Sequence, residues 1–325
     1  MQLLQKLLNK FNGLYYTQEY LCLAQESFQQ PLYVYLIAGK QIIKDITNQH
    51  LFTGYSPLIF TLYSTNIKEV ELTEKIDIIF SAQCFKPNES LEKKDAIAWL
   101  SLKMIRRQSG GNMDIVYYEA IKGEHHFLSS FHQYIIELYN RLFNKKPGNV
   151  YLHNNLYRQV QIAYSVPRVI SLITVSDGKL FNLFPTDLHG AVNELYYISS
   201  LRHEGKACKQ VEASGRVVIS QIHCDAYKTA YSLGKNHTQV LRPKDNFPFG
   251  NINSAIFHLP LPQSLLAYRE LELVESFEHG IHKLLLYKIV SGQQLSSERA
   301  TLAHIHNVYA TWRRNKGLPG NYLLR

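Results

Sequence analysis

Short apolar runs alternate with turn-forming residues along this chain, and the pattern predicts a protein built mainly of β-strands. Runs rich in Val, Ile, Tyr and Phe are bounded by Gly, Pro, Asn or Asp, as is typical of strands. The predicted strands are 33–38, 58–63, 76–82, 113–121, 159–164, 169–175, 195–200, 216–222 and 284–290. Predicted helices are fewer: 89–106, 129–143, 263–279 and 296–314. Many strands and few helices favour a mainly β (α+β) fold with barrel-like sheets over a doubly wound sheet.

Two segments of the sequence resemble each other, which predicts an internal duplication. The segment PLYVYLIAGKQIIKDITNQH ends at His50, and RVISLITVSDGKLFNLFPTDLH ends at His189. The offset that aligns these two histidines also aligns Gly39 with Gly178. Both segments read as a strand, a Gly-Lys turn, a second strand and a loop that ends in Thr-x-x-His.

The last strands of the two halves also correspond, at a larger offset. Each half ends in an apolar strand that contains a glycine, Gly123 or Gly292, and is followed by a predicted helix. The second half therefore carries about thirty extra residues, predicted to lie within 228–274. We expect two tandem domains, 1–148 and 149–325, with the boundary in the turn-forming sequence KKPG.

Composition narrows the class of protein. The chain has 325 residues, 46% of them hydrophobic, so it can form large cores and is not disordered as a whole. The start, MQLLQKLLNKFNG, has an apolar run broken by lysine and asparagine, unlike a signal peptide. There is no apolar stretch of about 18 residues, so we expect no membrane span and a soluble, cytoplasmic protein.

Cysteine and histidine spacing gives no metal motif. The four cysteines form no CxxC pair, which argues against a zinc ribbon and a disulfide-dense scaffold. Cys84 and Cys224 occupy equivalent positions of the repeat, and both are predicted to be core residues. The pairs His125–His126, His279–His282 and His304–His306 are predicted to be ordinary surface or partly buried histidines. The chain also lacks GxGxxG, GxxxxGK[ST], HExxH and GxSxG.

The densest group of polar residues lies in DGKLFNLFPTDLHG and in the following ELYYISSLRHEGK, which ends at Lys206. A loop and two strand ends would carry hydroxyls, backbone N–H groups and two cations along one rim, which suits a phosphate and a polar ring edge. An ordinary barrel with a polar hairpin rim explains the same residues. The candidate cofactor-binding residues are Asn182, Phe184, Pro185, Thr186, Asp187, His189, Ser199, Ser200, Arg202 and Lys206.

These residues resemble the flavin reductase-like, FMN-binding split-barrel family. The resemblance rests on Pro167, Gly178, Asn182 and Pro185-Thr186, followed by LYYISSL and GKACKQVEASGRVVIS. It implies that the Pro-Thr loop flanks the isoalloxazine of FMN, that Ser, Thr, Arg and Lys hold its phosphate, and that NAD(P)H is the reductant. Where the family has Lys-Asp-Thr, this chain has Lys-Ala-Cys, ending at Cys208.

Members of this family are usually homodimers with flavin at the subunit interface. The resemblance therefore implies that the two halves form an intramolecular pseudo-dimer, with a degenerate first half, and a further homodimer is compatible with it. The expected function is a flavoprotein that acts as an NAD(P)H:flavin oxidoreductase on a small-molecule electron acceptor. Because Lys-Ala-Cys lacks a hydroxyl, the alternative is a non-catalytic split-barrel interaction or scaffold module. The net charge of +9 and 22 tyrosines also allow a nucleic-acid binder, although no motif supports one.

Overall fold

The computed structural model describes residues 19–23, 32–64, 73–110, 113–143, 152–298, 300–318 and 322–324. The predicted boundary sequence KKPG and the start MQLLQKLLNKFNG lie outside these residues. The chain divides into two compact units, each assembled from separate stretches of sequence. Unit 1 comprises Met1–Glu19, Ser27–Pro167 and Ile305–Arg325, and unit 2 comprises Tyr20–Glu26 and Arg168–His304.

Unit 1 contains a seven-stranded antiparallel sheet. Its strands are β2 (Tyr33–Ala38), β3 (Gln41–Asp45), β4 (His50–Tyr55), β5 (Leu58–Ser64), β6 (Lys75–Ser81), β7 (Ala98–Gly110) and β8 (Met113–His125). A short strand, β1 (Glu19–Leu23), precedes them in the chain, and all of it except Glu19 belongs to unit 2. Their spatial order is β3-β2-β6-β7-β8-β5-β4. Two helices follow, α1 (Ser130–Phe143) and α2 (Asn155–Ala163).

Unit 2 contains a second seven-stranded antiparallel sheet. Its elements are β9 (Arg168–Val169), β10 (Ser171–Ser176), β11 (Phe181–Thr186), β12 (His189–Ala191), β13 (Tyr196–Arg202), α3 (Lys206–Ser214), β14 (Arg216–Ile222), α4 (Tyr227–Leu233), β15 (Phe249–Asn253), β16 (Pro260–Pro262), β17 (Leu265–His279), β18 (His282–Gln294) and β19 (Thr301–Ile305). The sheet order is β11-β10-β14-β17-β18-β13-β12, and β19 pairs with β9 outside that sheet. The last described elements, α5 (Asn307–Asn315) and β20 (Tyr322–Leu324), belong to unit 1.

The two sheets have the same strand order when their strands are counted along the chain. The hairpins β2–β3 and β10–β11, the long hairpins β7–β8 and β17–β18, and the edge strands β4 and β12 take equivalent places. Leu100 pairs with Gly123 in one sheet, and Arg269 pairs with Gly292 in the other. One sequence offset therefore relates Leu100 to Arg269 and Gly123 to Gly292. Unit 2 differs by α4, β15, β16 and three 3-10 turns (Cys224–Ala226, Gly234–Thr238 and Lys244–Asn246) between β14 and β17.

Alternating side chains of the strands form the core of each unit, because successive residues of a strand point to opposite faces. In unit 1, Tyr35, Ile37, Ile79 and Trp99 are buried in one cluster. In unit 2, the cluster is larger and is closed on one side by the buried face of α3. Its members are Ile173, Val175, Phe184, Tyr197, Leu201, Ala207, Cys208, Val211, Val217, Ile219, Leu271, Leu285 and Tyr287.

The mainly β fold is confirmed, and the predicted helix at 129–143 is found as α1. Two predicted helices are wrong: 89–106 is a loop followed by β7, and 263–279 is β17. Within β17, the sequence Glu-Leu-Glu-Leu ends at Leu273 and alternates polar and apolar residues with a period of two. This strand-like alternation outweighs the high helix propensity of Glu and Leu. Strand pairing on both sides of each segment decides between the two structures.

Other local predictions also fail. The predicted strand 159–164 is the end of α2, and the predicted helix 296–314 is a helix only over Asn307–Asn315, with β19 before it. Cys224 is buried as expected, but Cys84 is exposed because it lies beyond the end of β6. Within the part of the chain that the structure describes, every helix is too short or too polar to cross a membrane.

Candidate functional site

The end of β13 and the start of α3 form a tight cationic turn. Arg202 ends the strand, the N–H of Gly205 donates to the Arg202 carbonyl at 3.0 Å, and α3 begins at Lys206. The N-cap residue Gly205 provides no side-chain cap, and the first turn of α3 contains no acidic residue. The helix is fixed by its buried face and by Gly215, which ends it with φ of 65°. Its first N–H groups thus have no partner within the helix, and two exposed cations flank them.

A second feature, the loop between β11 and β12, is organised around Asp187. Its Oδ2 atom lies 3.1 Å from Arg168 Nη2 and 2.9 Å from His304 Nδ1, which donates because a carboxylate only accepts. Arg168 and His304 face each other as a residue pair of β9 and β19. Burial raises the pKa of Asp187, but the charge of Arg168 and the hydrogen bond from His304 lower it well below its ordinary value. Asp187 is therefore ionised at neutral pH.

His189 follows this loop and is held in one tautomer. Its Nε2 lies 3.0 Å from the Val169 carbonyl and therefore carries the proton, and its Nδ1 lies 2.6 Å from the Tyr197 hydroxyl. Burial lowers the pKa of His189 to about 4, although the negative charge of Asp187 acts in the opposite direction. The imidazole is therefore neutral at pH 7, and the Tyr197 hydroxyl donates to Nδ1.

Ser199 and Ser200 point to opposite faces of β13. Ser199 Oγ lies 3.1 Å from the Tyr287 hydroxyl on the core face, and Ser200 Oγ lies 2.9 Å from His282 Nδ1 on the other face. Both serines are buried. Their hydroxyls are thus already engaged with side chains of β18.

The insertion after β14 packs against β11 and brings His237 to the loop. Its Nε2–H donates to the Pro185 carbonyl at 2.8 Å, and its ring lies 4.9 Å from that of Phe184, which is fully buried. The neighbouring Asn236 donates to the Leu183 carbonyl at 2.8 Å. A Cβ atom on Gly205 would lie 3.5 Å from the His237 carbonyl. His237 is thus close to both the loop and the cationic turn.

Electrostatic effects also connect the two features. Burial lowers the pKa of His282 to about 4; the charge of Arg202 lowers it further and that of Asp187 acts against it. Burial and Arg202 also lower the pKa of His237, while its hydrogen bond to Pro185 and the charge of Asp187 act against this. The two histidines therefore lie within the electrostatic range of both Arg202 and Asp187, and the position of His237 beside Pro185 and Gly205 places the loop and the turn next to each other.

The candidate residues differ in accessibility. Arg202 and Lys206 are exposed, and Pro185, Asp187 and His189 are partly exposed. The other five are buried: Asn182, Phe184, Thr186, Ser199 and Ser200. Asn182 donates to Gln210 Oε1 at 2.7 Å and to the Asn236 carbonyl at 3.1 Å, so it positions the insertion. Contact of any candidate with a flavin stays a prediction.

Sequence reasoning did not include Arg168, His237, His282 and His304 in the site. The sequence analysis predicts a helix at His304, but the residue lies in β19, where TLAHI alternates buried and partly exposed positions at its end as a strand does. Arg168 is its partner across the β9–β19 pair, a contact between distant parts of the sequence. No local signal in the sequence identifies such a pair.

Comparison with known proteins gives matches only among solved structures: no family model and no curated protein matches the chain. The chain is similar in structure to flavin reductases and FMN-binding proteins. One is the NADH:FAD oxidoreductase SgcE6 of Streptomyces globisporus C-1027, with 12% identity, a TM-score of 0.41, and coverage of 49% of this chain and 95% of that one.

Two further structures are similar over comparable lengths. The FMN-binding protein from Thermus thermophilus has 18% identity and a TM-score of 0.35, covering 39% of this chain and 71% of that one. The flavin reductase PheA2 has 12% identity and a TM-score of 0.39, covering 53% of this chain and 98% of that one. Likenesses at this level do not assign a ligand or a reaction to the chain.

Proposed function

We propose that unit 2 binds flavin mononucleotide, with the phosphate at the cationic turn between β13 and α3. The observation that carries this proposal is the junction of Arg202, Gly205 and Lys206 at an uncapped helix start. N–H groups at a helix N-terminus favour an anion, and Arg and Lys add charge-assisted hydrogen bonds. Gly205 permits this tight turn, since a Cβ there would lie 3.1 Å from the Arg202 carbonyl.

The donor set fits a phosphate, although it differs from the pattern that the family resemblance implies. Cys208, at the position of the family's threonine, is fully buried in the core and offers no ligand. Ser199 and Ser200 are already hydrogen-bonded to Tyr287 and His282. We assign the phosphate contacts to Arg202, Lys206 and the first N–H groups of α3, which lie at the turn itself. The polar ring edge would lie at the Pro185–Asp187 loop, which His237 holds in place.

The proposed reaction is hydride transfer from NAD(P)H to the flavin, followed by reduction of a small-molecule acceptor. A bound flavin supplies the redox chemistry itself, so the protein needs to bind and orient rather than act as a strong acid or base. The charge states of the described polar groups agree with this role of the protein in binding and orienting the flavin. Asp187 remains ionised and His189 remains neutral at pH 7, so both set the local charge without exchanging protons.

Comparison of FMN with riboflavin tests the phosphate assignment, because riboflavin lacks the phosphate. Fluorescence quenching should show FMN binding to the wild-type chain, and Arg202→Gln and Lys206→Gln should each weaken it roughly tenfold, by loss of a charge-assisted contact of about 1.4 kcal/mol. Riboflavin binding should change little. Lys209→Gln is the matched control, since this exposed lysine lies further along the same helix. Equal losses for riboflavin and FMN would reject the turn as the phosphate site.

Activity is tested by oxidation of NADH and of NADPH at FMN concentrations around the dissociation constant of the wild-type chain. Turnover that falls with Arg202→Gln in parallel with FMN affinity would support an oxidoreductase. A chain that quenches neither flavin and oxidises neither nucleotide would instead be the non-catalytic split-barrel module.

We also infer that the chain is a tandem duplication, with halves near 1–148 and 149–325, the first degenerate in chemistry. The shared strand order and the matched pairs at Gly123 and Gly292 support this inference. An intramolecular pseudo-dimer would need no second chain. Sedimentation equilibrium should then give 37.6 kDa, whereas twice that mass would support the further homodimer.

A further inference from the structure

Helix α1 carries apolar side chains on the face that points to solvent. Phe131, Tyr134, Leu138 and Leu142 are between 41% and 65% exposed, and they follow one another at intervals of three or four residues. Residues at this spacing lie on one face of a helix, so the four side chains form one apolar surface, the α1 stripe. A surface helix normally turns such a stripe towards the core.

The face of α1 that packs inwards is polar and is held by hydrogen bonds. Gln133 Nε2 donates to the His125 carbonyl at 2.7 Å and to the Leu128 carbonyl at 2.9 Å. Asn140 Nδ2 donates to the Leu152 carbonyl at 3.3 Å. Both amide side chains are buried. Turning the stripe inwards would break these hydrogen bonds, so the fold of unit 1 keeps the α1 stripe at the surface.

The α1 stripe is large enough to be an interaction surface. Its four side chains present roughly 400 Å² of apolar surface, within the range of the largest patch on a typical monomer, which is often functional. Two copies of the stripe would bury roughly 800 Å² in total, about half of a standard stable interface. This area suits a weak association of two copies rather than a permanent assembly.

The spacing of apolar residues along α1 makes its surface complementary to itself. Phe131, Ile135, Leu138 and Leu142 follow one another at intervals of four, three and four residues, the spacing of a coiled-coil seam. These intervals are the same in both directions along the helix. In an antiparallel pair related by a two-fold axis, Phe131 of one copy would therefore face Leu142 of the other, and Ile135 would face Leu138.

The charges of α1 agree with an antiparallel pair. Arg141 is exposed and lies on the same edge of the stripe as Tyr134. In an antiparallel pair, Arg141 of each copy would reach the Tyr134 ring of the other, which gives two equivalent cation–π contacts. The two arginines would lie at opposite ends, whereas a parallel pair would place them side by side. Glu137 is already paired with Arg158 of α2.

We propose that α1 is a self-association surface, through which two copies of the chain pair antiparallel along the α1 stripe. This contact is separate from the proposed pseudo-dimer, which lies within one chain. Sedimentation equilibrium should give 37.6 kDa for a dilute sample and approach twice that mass at high concentration, with a dissociation constant of roughly 10–100 µM. The association should be the same with and without FMN, so failure of the flavin proposal would leave this test intact.

Two charge substitutions test the antiparallel register. Phe131→Glu and Leu142→Lys should each weaken the association at least roughly tenfold, because each places a charge against an apolar side chain of the other copy. The double variant should restore the association, since the two new charges are of opposite sign and face each other at both ends of the pair. Leu195→Glu is the matched control, because this apolar residue of unit 2 is similarly exposed and lies outside the stripe.

Thermal unfolding of the same variants separates association from folding. They should melt close to the wild type, because the substituted side chains are exposed. Tyr134→Ala, a milder change, should still weaken the association at least roughly fivefold by loss of the cation–π contacts and of apolar area. These two readouts together show whether a lost association comes from the surface or from unfolding.

Three results would overturn the proposal. The first is a mass of 37.6 kDa at every concentration, which would leave another segment of the chain or a different protein as the occupant of the stripe. The second is a dimer that survives both single charge variants. The third is an association that the double variant fails to restore, which would reject the antiparallel pair.

Discussion

Replacement of Asp187 by Asn tests the electrostatic description of unit 2. The substitution preserves the shape of the side chain but removes the charge that faces Arg168 and His304. The Arg168 side chain is only 7% exposed, and that of Asp187 is 22% exposed. The variant therefore leaves a nearly buried guanidinium without its carboxylate.

The expected loss of stability follows from this burial. Breaking a fully buried ion pair by removing one partner costs about 3–5 kcal/mol, and the partial exposure of Asp187 places the expected cost near the lower end. For a unit of this size, about 3 kcal/mol corresponds to a melting temperature lower by roughly 6–12 °C. Asp177→Asn is the matched control: this exposed carboxylate accepts from two backbone N–H groups of its own turn, so its loss should be much smaller.

The pH dependence makes the test specific. The folded-state pKa of Asp187 lies well below its ordinary value of 3.8, so its contribution is fully present above about pH 5 and is lost as pH falls through the acid range. Urea unfolding at several pH values should show a difference between wild type and Asp187→Asn that shrinks from pH 5 towards pH 2. A difference that is constant with pH, or absent at pH 7, would refute the ion-pair argument.

Three further predictions concern other parts of the sheets. Burial lowers the pKa values of four histidines to about 4: His50, His125, His189 and His282. The free energy of unfolding should therefore rise between pH 4 and 6.5, because only the unfolded state binds protons to these side chains in that range. NMR titration midpoints near 6.5 for these histidines in the folded protein would contradict this. Cys84 is exposed, whereas burial raises the pKa of Cys208 to about 11, so Cys84 should react with a thiol reagent at pH 8 much faster than Cys208. Mass spectrometry of labelled peptides measures both rates, and equal rates would contradict this prediction. Gly123→Ala should lower the free energy of unfolding by about 1–3 kcal/mol, measured by chemical unfolding, because the new Cβ would lie 2.6 Å from the Leu100 side chain. Gly292→Ala should cost less, because its Cβ would lie 3.3 Å from the Arg269 side chain. The reverse order would reject the packing argument.

The fold class was predictable because it depends on local pattern. Period-two alternation and turn residues determine strands, and the repeated turn glycines Gly39 and Gly178, both at positive φ, mark equivalent hairpins. Segments with strong helix formers misled the prediction where strand pairing on both sides prevailed, as in β7 and β17. Propensity is a weak guide when burial and cross-strand neighbours favour the other structure.

The candidate site was predictable only in part, because half of it is assembled over long sequence distances. Asp187, Ser200 and Arg202 belong to one stretch of sequence and were identified there. Their partners His282 and His304 lie far along the chain, after the insertion, and give no local signal. Strand pairing brings them together, and a single sequence does not specify that pairing without the fold.

The difference between the two sheets is itself evidence about function. In the alignment that places His50 on His189, Asn48 stands in place of Asp187 and Tyr63 in place of Arg202. His50 is buried against Phe52 and Phe60, and its Nδ1–H donates to the Ile46 carbonyl at 2.9 Å. The sheet of unit 1 therefore folds with apolar side chains around His50, at the position equivalent to His189. A buried ion pair is rarely more stabilising than apolar packing of similar volume. The charged cluster of unit 2 therefore has no counterpart at the equivalent place in unit 1, which agrees with the proposal that only unit 2 binds an anionic ligand.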